Sequence, residues 1–202
     1  MNNEMEEKYK RIIRDGQGTL AIILINLIVF IVLNIFPNFG ANLLLNPEIT
    51  LILEKPWTLV TVFFSHEVLI HIILNMGILF YFGTRVEKIT SAKIVVMIYL
   101  IAGLIGSLSF PLIGLVIEQT GLAAGASAAV MGVVAAFAVM RPDTVILKSK
   151  AKWWVFMLVI FSVISAIIIP QSLDSGVAHL TGIIVGLVFG YWIKNKENIK
   201  SK

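Results

Sequence analysis

Long apolar runs constrain this chain more than any other feature, because only a helix of about 20 such residues crosses a bilayer with its backbone hydrogen bonds satisfied. Of its 202 residues, 58% are hydrophobic and only 14% are charged. The apolar runs are Leu20–Phe36, about Val68–Val86, Ile94–Ile117, Leu122–Met140, Trp153–Ile169 and Val177–Ile193. The sequence therefore predicts an all-α membrane protein with a bundle of six transmembrane helices.

The start of the second helix depends on Glu67. The apolar run could begin at Leu59, but Ser65, His66 and Glu67 would then lie deep in hydrocarbon. An unpaired carboxylate at that depth costs several kcal/mol. We therefore begin the second helix after Glu67 and assign residues 59–64 to an interfacial or partly re-entrant segment of the first loop.

Basic residues indicate the orientation of the helices. All of the 16 Lys and Arg residues except Lys55 lie before the first helix, in the second and fourth connections, or after the sixth helix. The positive-inside rule therefore predicts that both termini are cytoplasmic. Because these clusters flank membrane spans, the net charge of +4 needs no nucleic-acid partner to explain it.

The same boundaries predict the domain organisation. Residues 1–19 form a short cytoplasmic N-terminal segment, residues 20–193 the membrane domain, and residues 194–202 a basic cytoplasmic tail. The first apolar run is not followed by a small-residue cleavage site, so we expect a retained helix and not a removable signal peptide. The chain has no cysteine, which excludes thiolate catalysis and disulfides.

A few polar residues fall in one layer of the predicted bundle. Helices two, four and six all enter from the outer face, and at 1.5 Å per residue they place four polar side chains within about 10 Å of it. These are His71, Asn75, Ser127 and His179. Intramembrane ionisable groups are functional candidates, although a lone Ser is usually a packing residue and a lone His or Asn usually a hydrogen-bond partner between helices.

Two stripes of small residues favour a functional role for these polar side chains. Helix four carries Ala124, Ala128, Gly132 and Ala136, and helix six carries Ala178, Gly182, Gly186 and Gly190. Small residues at every fourth position allow close contact of two helix backbones. Such contact is what a serine–histidine hydrogen bond of about 2.6–3.2 Å requires.

Several short patterns run through helices two to six. They are His66-x4-His71-x3-Asn75, Gly83-x3-Glu87, Gly125-x-Ser127 and Ala178-His179-x2-Gly182-x3-Gly186. In this order the patterns resemble those of rhomboid intramembrane serine proteases, in the minimal six-helix bacterial form. The resemblance departs at Ala128, where the family usually has Gly, and at Met131, where many members have an aromatic residue.

The resemblance implies catalysis by a serine–histidine pair. Ser127 would be the nucleophile and His179 the general base that takes its proton and returns it to the leaving amine. Helices four and six contain no acidic residue within their predicted bounds, and Asp174 falls in the preceding loop, so we expect a dyad and not a triad. Neither a metal nor another cofactor is implied.

The remaining site residues also follow from the resemblance. His71, Asn75 and the backbone N–H of Ser127 would hold the oxyanion. Gly125 would let the backbone bend at the nucleophile, and His66 would support the loop at the rim of the site. The implied substrates are single-span proteins of the bilayer, cut at a small residue near the outer membrane face.

Two other classes of function stay open. One is a non-proteolytic relative that only binds transmembrane helices, and the departures at Ala128 and Met131 favour this class. The other is a small transporter or metal channel that uses His66, Glu67, His71 and His179. Against the channel, His66 and His71 would diverge by about 140° on a helix, unlike a chelating i, i+4 pair.

Overall fold

This computed structural model describes residues 15–115, 121–168 and 173–200 of the chain. Six helices of 14 or more residues lie in this described part. They are α1 (Gln17–Ile35), α2 (Leu69–Ile89), α3 (Ala92–Gly114), α4 (Ser127–Met140), α5 (Ala151–Ile168) and α6 (Leu173–Lys200). All except α4 are long and apolar enough to cross a membrane. The predicted all-α membrane fold is thus confirmed.

Shorter elements join these helices. The loop between α1 and α2 contains helical turns at Pro37–Gly40, Ala41–Leu43, Ile49–Glu54, Thr58–Thr61 and Val62–Phe64. A small antiparallel hairpin, β1 (Val145–Ile146) and β2 (Ser149–Lys150), connects α4 to α5. Its two-residue turn, Leu147 and Lys148, has φ angles of 46° and 66°, the positive values that close tight hairpins.

Close packing of α4 against α6 forms the centre of the bundle. A Cβ on Gly182 would overlap the carbonyl oxygen of Ala128, and a Cβ on Gly186 would overlap that of Gly132. These contacts advance by four residues on both helices, so α4 and α6 run parallel. The close contact predicted from the two small-residue stripes is confirmed.

Helix α3 packs antiparallel against this pair. A Cβ on Gly106 would lie 2.7 Å from the Cβ of Ala128, and a Cβ on Gly132 would lie 2.5 Å from the Cβ of Ala102. One residue along α3, a Cβ on Gly103 would lie 2.7 Å from the ring of Phe63. Small residues on α3 therefore admit both α4 and the first loop.

A buried carboxylate connects α1 to the end of α2. Glu87 accepts hydrogen bonds from the backbone N–H of Gly18 at 2.8 Å, and from the backbone N–H and hydroxyl of Thr19 at 2.9 and 2.8 Å. A Cβ on Gly83 would lie 2.8 Å from the Thr19 side chain, so the glycine leaves room for this contact. The Gly83-x3-Glu87 pattern thus positions the first helix.

The start of α4 differs from the sequence prediction, because the helix begins at Ser127 and not at Leu122. The preceding chain is extended, and Ala123 forms an antiparallel bridge with Leu45 through hydrogen bonds of 2.7 and 3.1 Å. Gly125 then has a φ of +145°, which breaks the helical path. Ser127 is therefore the first residue of α4 instead of lying about 8 Å along it.

The start of α6 also differs. The described part of the helix begins at Leu173, four residues before the predicted Val177. Asp174 thus belongs to its first turn and not to a loop, where a carboxylate favourably faces the positive end of the helix dipole. His179 lies about 9 Å along α6 instead of about 3 Å. The predicted helix ends at Ile117 and Ile169, and residues 1–14, 201 and 202, lie outside the described residues.

Candidate active site

Ser127 and His179 are in direct contact. The Oγ of Ser127, on the first residue of α4, lies 2.7 Å from the Nε2 of His179, nearly two turns into α6. Both side chains are partly buried. The distance lies within the range for a hydroxyl activated by an adjacent base. The parallel packing of α4 and α6 brings these two residues together from positions far apart in the sequence.

The backbone turn at Ser127 leaves one N–H group without an intrahelical partner. As the first residue of a helix, Ser127 has a backbone N–H without an intrahelical acceptor. Gly125 has a positive φ, and a Cβ there would lie 2.7 Å from Cε1 of His71. A side chain at position 125 would therefore strain the turn and also displace the His71 ring.

The two α2 residues predicted for the oxyanion site lie one turn apart. His71 lines the cavity that holds Ser127 and His179. Asn75 is 6% exposed, is not among the lining residues, and donates from Nδ2 to the backbone carbonyl of His71 at 3.1 Å. The structure thus brings the His71 ring to the site and leaves Asn75 outside the cavity lining.

His66 is buried, and so it does not lie at the predicted rim. Its ring meets that of His71 edge to face with centroids 5.0 Å apart, and its Nε2 accepts the backbone N–H of Ala126 at 3.4 Å. Burial, and secondly the nearby His71, lower the pKa of His66 to about 4, while the backbone of Phe64 opposes the shift. His66 is therefore neutral at pH 7, as its acceptor role requires.

Small residues make up much of the lining of the cavity that holds the serine–histidine pair. The cavity has a volume of about 170 Å³, and its lining includes Gly103, Gly106, Ala124, Ala128 and Ala178. A second cavity of about 210 Å³ shares Phe110, Ala124 and Ser175 with it and adds the carboxylates of Glu67 and Asp174. A polar compartment thus adjoins the cavity that holds the serine–histidine pair.

The first loop contributes Val62 and Phe63 to the lining of this cavity and is held in place by hydrogen bonds. The Tyr99 hydroxyl donates to the carbonyl of Phe63 at 2.6 Å, and the Ser107 hydroxyl donates to the carbonyl of Leu59 at 2.7 Å. The backbone N–H of Gly125 donates to the carbonyl of Val62 at 3.1 Å. The predicted loop segment therefore packs onto α3 and onto the chain before α4.

Sequence analysis missed one polar neighbour of His179. The hydroxyl oxygen of Ser162, on α5, lies 3.4 Å from Nδ1 of His179. A single serine in an apolar helix carries no signal that distinguishes it from a packing residue. Its position relative to the second ring nitrogen becomes visible only when α5 and α6 are packed.

Together, the fold and the site define a multi-pass integral membrane protein in which a serine–histidine pair lines a cavity between helices. Residues 53–196 match the rhomboid domain family. The chain belongs to the rhomboid family, so the family that its short patterns indicated is confirmed.

One curated relative shows the same likeness at lower coverage. RHOMBOID-like protein 6, mitochondrial, from Arabidopsis thaliana is 29% identical over 139 residues, which are 68% of this chain and 44% of that protein. The chain thus spans less than half the length of this relative.

Proposed function

We propose that this chain is an intramembrane serine endopeptidase. The observation that carries the proposal is the 2.7 Å contact between the Ser127 Oγ and the His179 Nε2, in a cavity that also holds the His71 ring. Acyl transfer requires a nucleophile, a base and oxyanion donors, and this cavity holds candidates for all three.

The reaction begins when the Ser127 oxygen attacks the scissile carbonyl while His179 takes the hydroxyl proton. The oxyanion that forms receives hydrogen bonds from the Ser127 backbone N–H and the His71 ring, and from Asn75 once its amide turns from the His71 carbonyl into the cavity. Each such donor is typically worth about 10²–10³ in rate. His179 then protonates the leaving amine, which departs and leaves an acyl-enzyme. Water activated by His179 hydrolyses this ester and releases Ser127.

The substrates we propose are single-span membrane proteins cut beside a small residue. Support for a small residue comes from the cavity of about 170 Å³ and from the Gly and Ala residues in its lining. A transmembrane helix keeps its carbonyls in internal hydrogen bonds, so its cleavage requires local unwinding. Helix-weakening residues near the cut therefore favour cleavage. The adjoining polar cavity supports a supply of water to the acyl-enzyme.

We further propose that the protein resides in a bacterial cell membrane with both termini in the cytoplasm. The basic asymmetry along the sequence supports this orientation, since Lys55 alone lies in a predicted outer loop. The serine–histidine pair then lies near the outer face, where α2, α4 and α6 begin. The reaction uses no metal or other cofactor, and the partners are the substrate helix and the lipid bilayer.

The experiment is cleavage of a panel of single-span membrane proteins by purified protein in liposomes. Ser127→Ala and His179→Ala are compared with the wild type, and Ser109→Ala is the matched control because Ser109 is a buried serine that does not line the cavity. We expect cleavage by the wild type and the control, and none by the two site variants. Turnover by Ser127→Ala above a few per cent of wild type would contradict the proposal.

Labelling separates the protease from a non-proteolytic helix-binding relative. A fluorophosphonate forms a covalent bond with an activated serine, so it should label the wild type and Ser109→Ala but not Ser127→Ala or His179→Ala. A wild-type protein that binds substrate helices yet shows neither labelling nor cleavage would be a helix-binding member of the family. Inhibition of cleavage by a chelator would instead point to metal chemistry.

A further inference from the structure

We propose that Ser162 is a positioning residue that fixes the tautomer and orientation of His179. Its hydroxyl oxygen accepts the Nδ1–H of the imidazole, so that the Nε2 lone pair faces Ser127. The inference rests on the proposed proteolytic function and extends it, because it adds a third side chain from a separate helix to the serine–histidine pair.

Burial singles out Ser162 on its helix. Helix α5 is the least buried of the candidate spans, with 11% of its window inside the protein. Its only buried residues are Ala151, at its first position, and Ser162. The one fully enclosed side chain in the middle of a largely lipid-exposed helix is therefore a hydroxyl, and it adjoins a ring nitrogen of His179.

The Ser162 hydroxyl has one proton to donate, and this limits which of its two contacts it can donate to. Its oxygen lies 2.8 Å from the carbonyl oxygen of Leu158, which can only accept, so the single hydroxyl proton points there. The lone pairs that remain face Nδ1 of His179 at 3.4 Å. For that contact to be a hydrogen bond, Nδ1 must carry the hydrogen, which leaves Nε2 unprotonated.

The result is a directed chain of hydrogen bonds through the site. Ser127 donates to His179, His179 donates to Ser162, and Ser162 donates to the backbone of Leu158. The 3.4 Å contact is long for a neutral hydrogen bond. When His179 takes the serine proton it becomes a charged donor, which makes shorter and stronger hydrogen bonds. Ser162 therefore stabilises the protonated base more than the neutral one.

A glycine on α6 makes this approach of α5 possible. Gly176 precedes His179 by three residues, and so it lies on the same side of α6. A Cβ on Gly176 would lie 2.9 Å from the Cβ of Ala166 and 3.0 Å from the backbone oxygen of Ser162. At Gly176 the two helices are therefore in contact through their backbones, close to His179. The Ser162 hydroxyl connects α5 to the His179 ring.

The competing explanation is local. Serine and threonine in apolar helices often donate to the carbonyl four residues earlier, which satisfies the hydroxyl without any other partner. Thr84 on α2 makes this same bond, to the carbonyl of Phe80 at 2.6 Å, and it lies outside the cavity lining. Thr84→Ala is therefore the matched control for loss of such a bond alone.

The first measurement is the kinetics of Ser162→Ala and Ser162→Thr against the wild type and Thr84→Ala. We expect Ser162→Ala to lower kcat about 3- to 10-fold with little change in KM, as for loss of one hydrogen bond that matters in the transition state. Ser162→Thr should restore most of the rate, and Thr84→Ala should match the wild type. Equal kcat for Ser162→Ala and the wild type would overturn the proposal.

The second measurement reads the tautomer directly and needs no protease activity. The chain has three histidines, so ¹⁵N-histidine labelling gives few signals, and His66→Gln and His71→Gln assign them. We expect the Nδ1–H tautomer of His179 in the wild type and a mixture in Ser162→Ala. An Nε2–H tautomer in the wild type, or no change in Ser162→Ala, would refute the role of Ser162.

These readouts separate the two proposals. If the wild type cleaves nothing, the proposed protease fails, while the tautomer still decides the role of Ser162. If Ser127 proves essential but Ser162→Ala changes neither kcat nor the tautomer, the protease stands and the positioning role fails. Should Ser162→Ala not fold, Ser162→Cys carries the same test, because its thiol keeps the shape but is a weaker acceptor.

Discussion

The carbonyl oxygen of Ala128 lies directly against Gly182, so that α4 and α6 touch through their backbones immediately beside Ser127 and His179. No side chain separates the helices at this level. The distance between the Ser127 hydroxyl and the His179 ring is therefore set by a glycine, and any atom added at position 182 must change it.

We predict that Gly182→Ala abolishes most cleavage. Its Cβ would overlap backbone atoms that cannot rotate away, so α6 must shift and lengthen the Ser127–His179 contact. We expect a loss of kcat/KM of at least about 100-fold, since small displacements of reacting groups have effects of this size. The measurement is kcat/KM together with the melting temperature in detergent.

Gly77→Ala is the control for that substitution. A Cβ at position 77 meets nothing within 4 Å, and the residue is in the interior of α2. Alanine is more stable than glycine in a helix by about 0.5–1 kcal/mol, so Gly77→Ala should be as active as the wild type and no less stable. Wild-type activity in Gly182→Ala would show that the helices are not in the contact described.

Gly125→Ala should impair catalysis more than it impairs folding. Gly125 and Gly121 both have positive φ, but a Cβ on Gly125 meets the His71 ring while one on Gly121 meets nothing within 4 Å. Both substitutions carry a backbone cost of about 1–3 kcal/mol, as for other sparsely populated backbone conformations. Only Gly125→Ala should also lower kcat, and equal kcat for the two variants would contradict this. The measurement is kcat beside the melting temperature of each variant.

Kinetic measurements should distinguish the roles of His66, His71 and Asn75. We expect His71→Ala and Asn75→Ala to lower kcat about 10²–10³-fold with smaller changes in KM, as for lost oxyanion donors. His66→Ala should act mainly on stability, because it leaves the Ala126 N–H without its acceptor. The measurement is kcat, KM and melting temperature in one detergent. If His66→Ala damages kcat most, the oxyanion assignment is wrong.

Acidification should destabilise the protein through His66. Its pKa is about 4 in the folded chain, against 6.5 for the unperturbed side chain. Between pH 4 and 6.5 the unfolded state binds more protons than the folded state. The stabilisation that neutral His66 contributes above pH 6.5 is therefore lost as the pH falls towards 4. Melting temperatures of the wild type and His66→Gln should converge on acidification. A constant difference from pH 7 to 4 would contradict the shift.

The termini should be accessible only from the cytoplasm. The basic residues that flank the helices predict this orientation. An epitope tag at either end should resist protease in intact cells and be digested in inverted vesicles, and a tag in the first loop should behave oppositely. Digestion of a terminal tag in intact cells would reverse the topology and the proposed face of cleavage.

The sequence alone predicted the helices and pointed to the pairing of Ser127 with His179, because the signals for both are short patterns within single helices. Apolar runs report membrane spans wherever they occur, and the Gly182 and Gly186 spacing reports a helix face that tolerates close contact. The same spacing pointed to contact between the helices that carry Ser127 and His179. In the structure these two helices do touch, and each begins at a different residue from the predicted one.

Only the tertiary structure decided the surroundings of that pair. The extended chain before Ser127 depends on pairing with Leu45, which is far away in the sequence, and the burial of His66 depends on the packing of the first loop. The contact of Ser162 with His179 requires α5 and α6 to lie together at Gly176. Such contacts form between segments whose own composition is ordinary, so each exists only once the helices have packed.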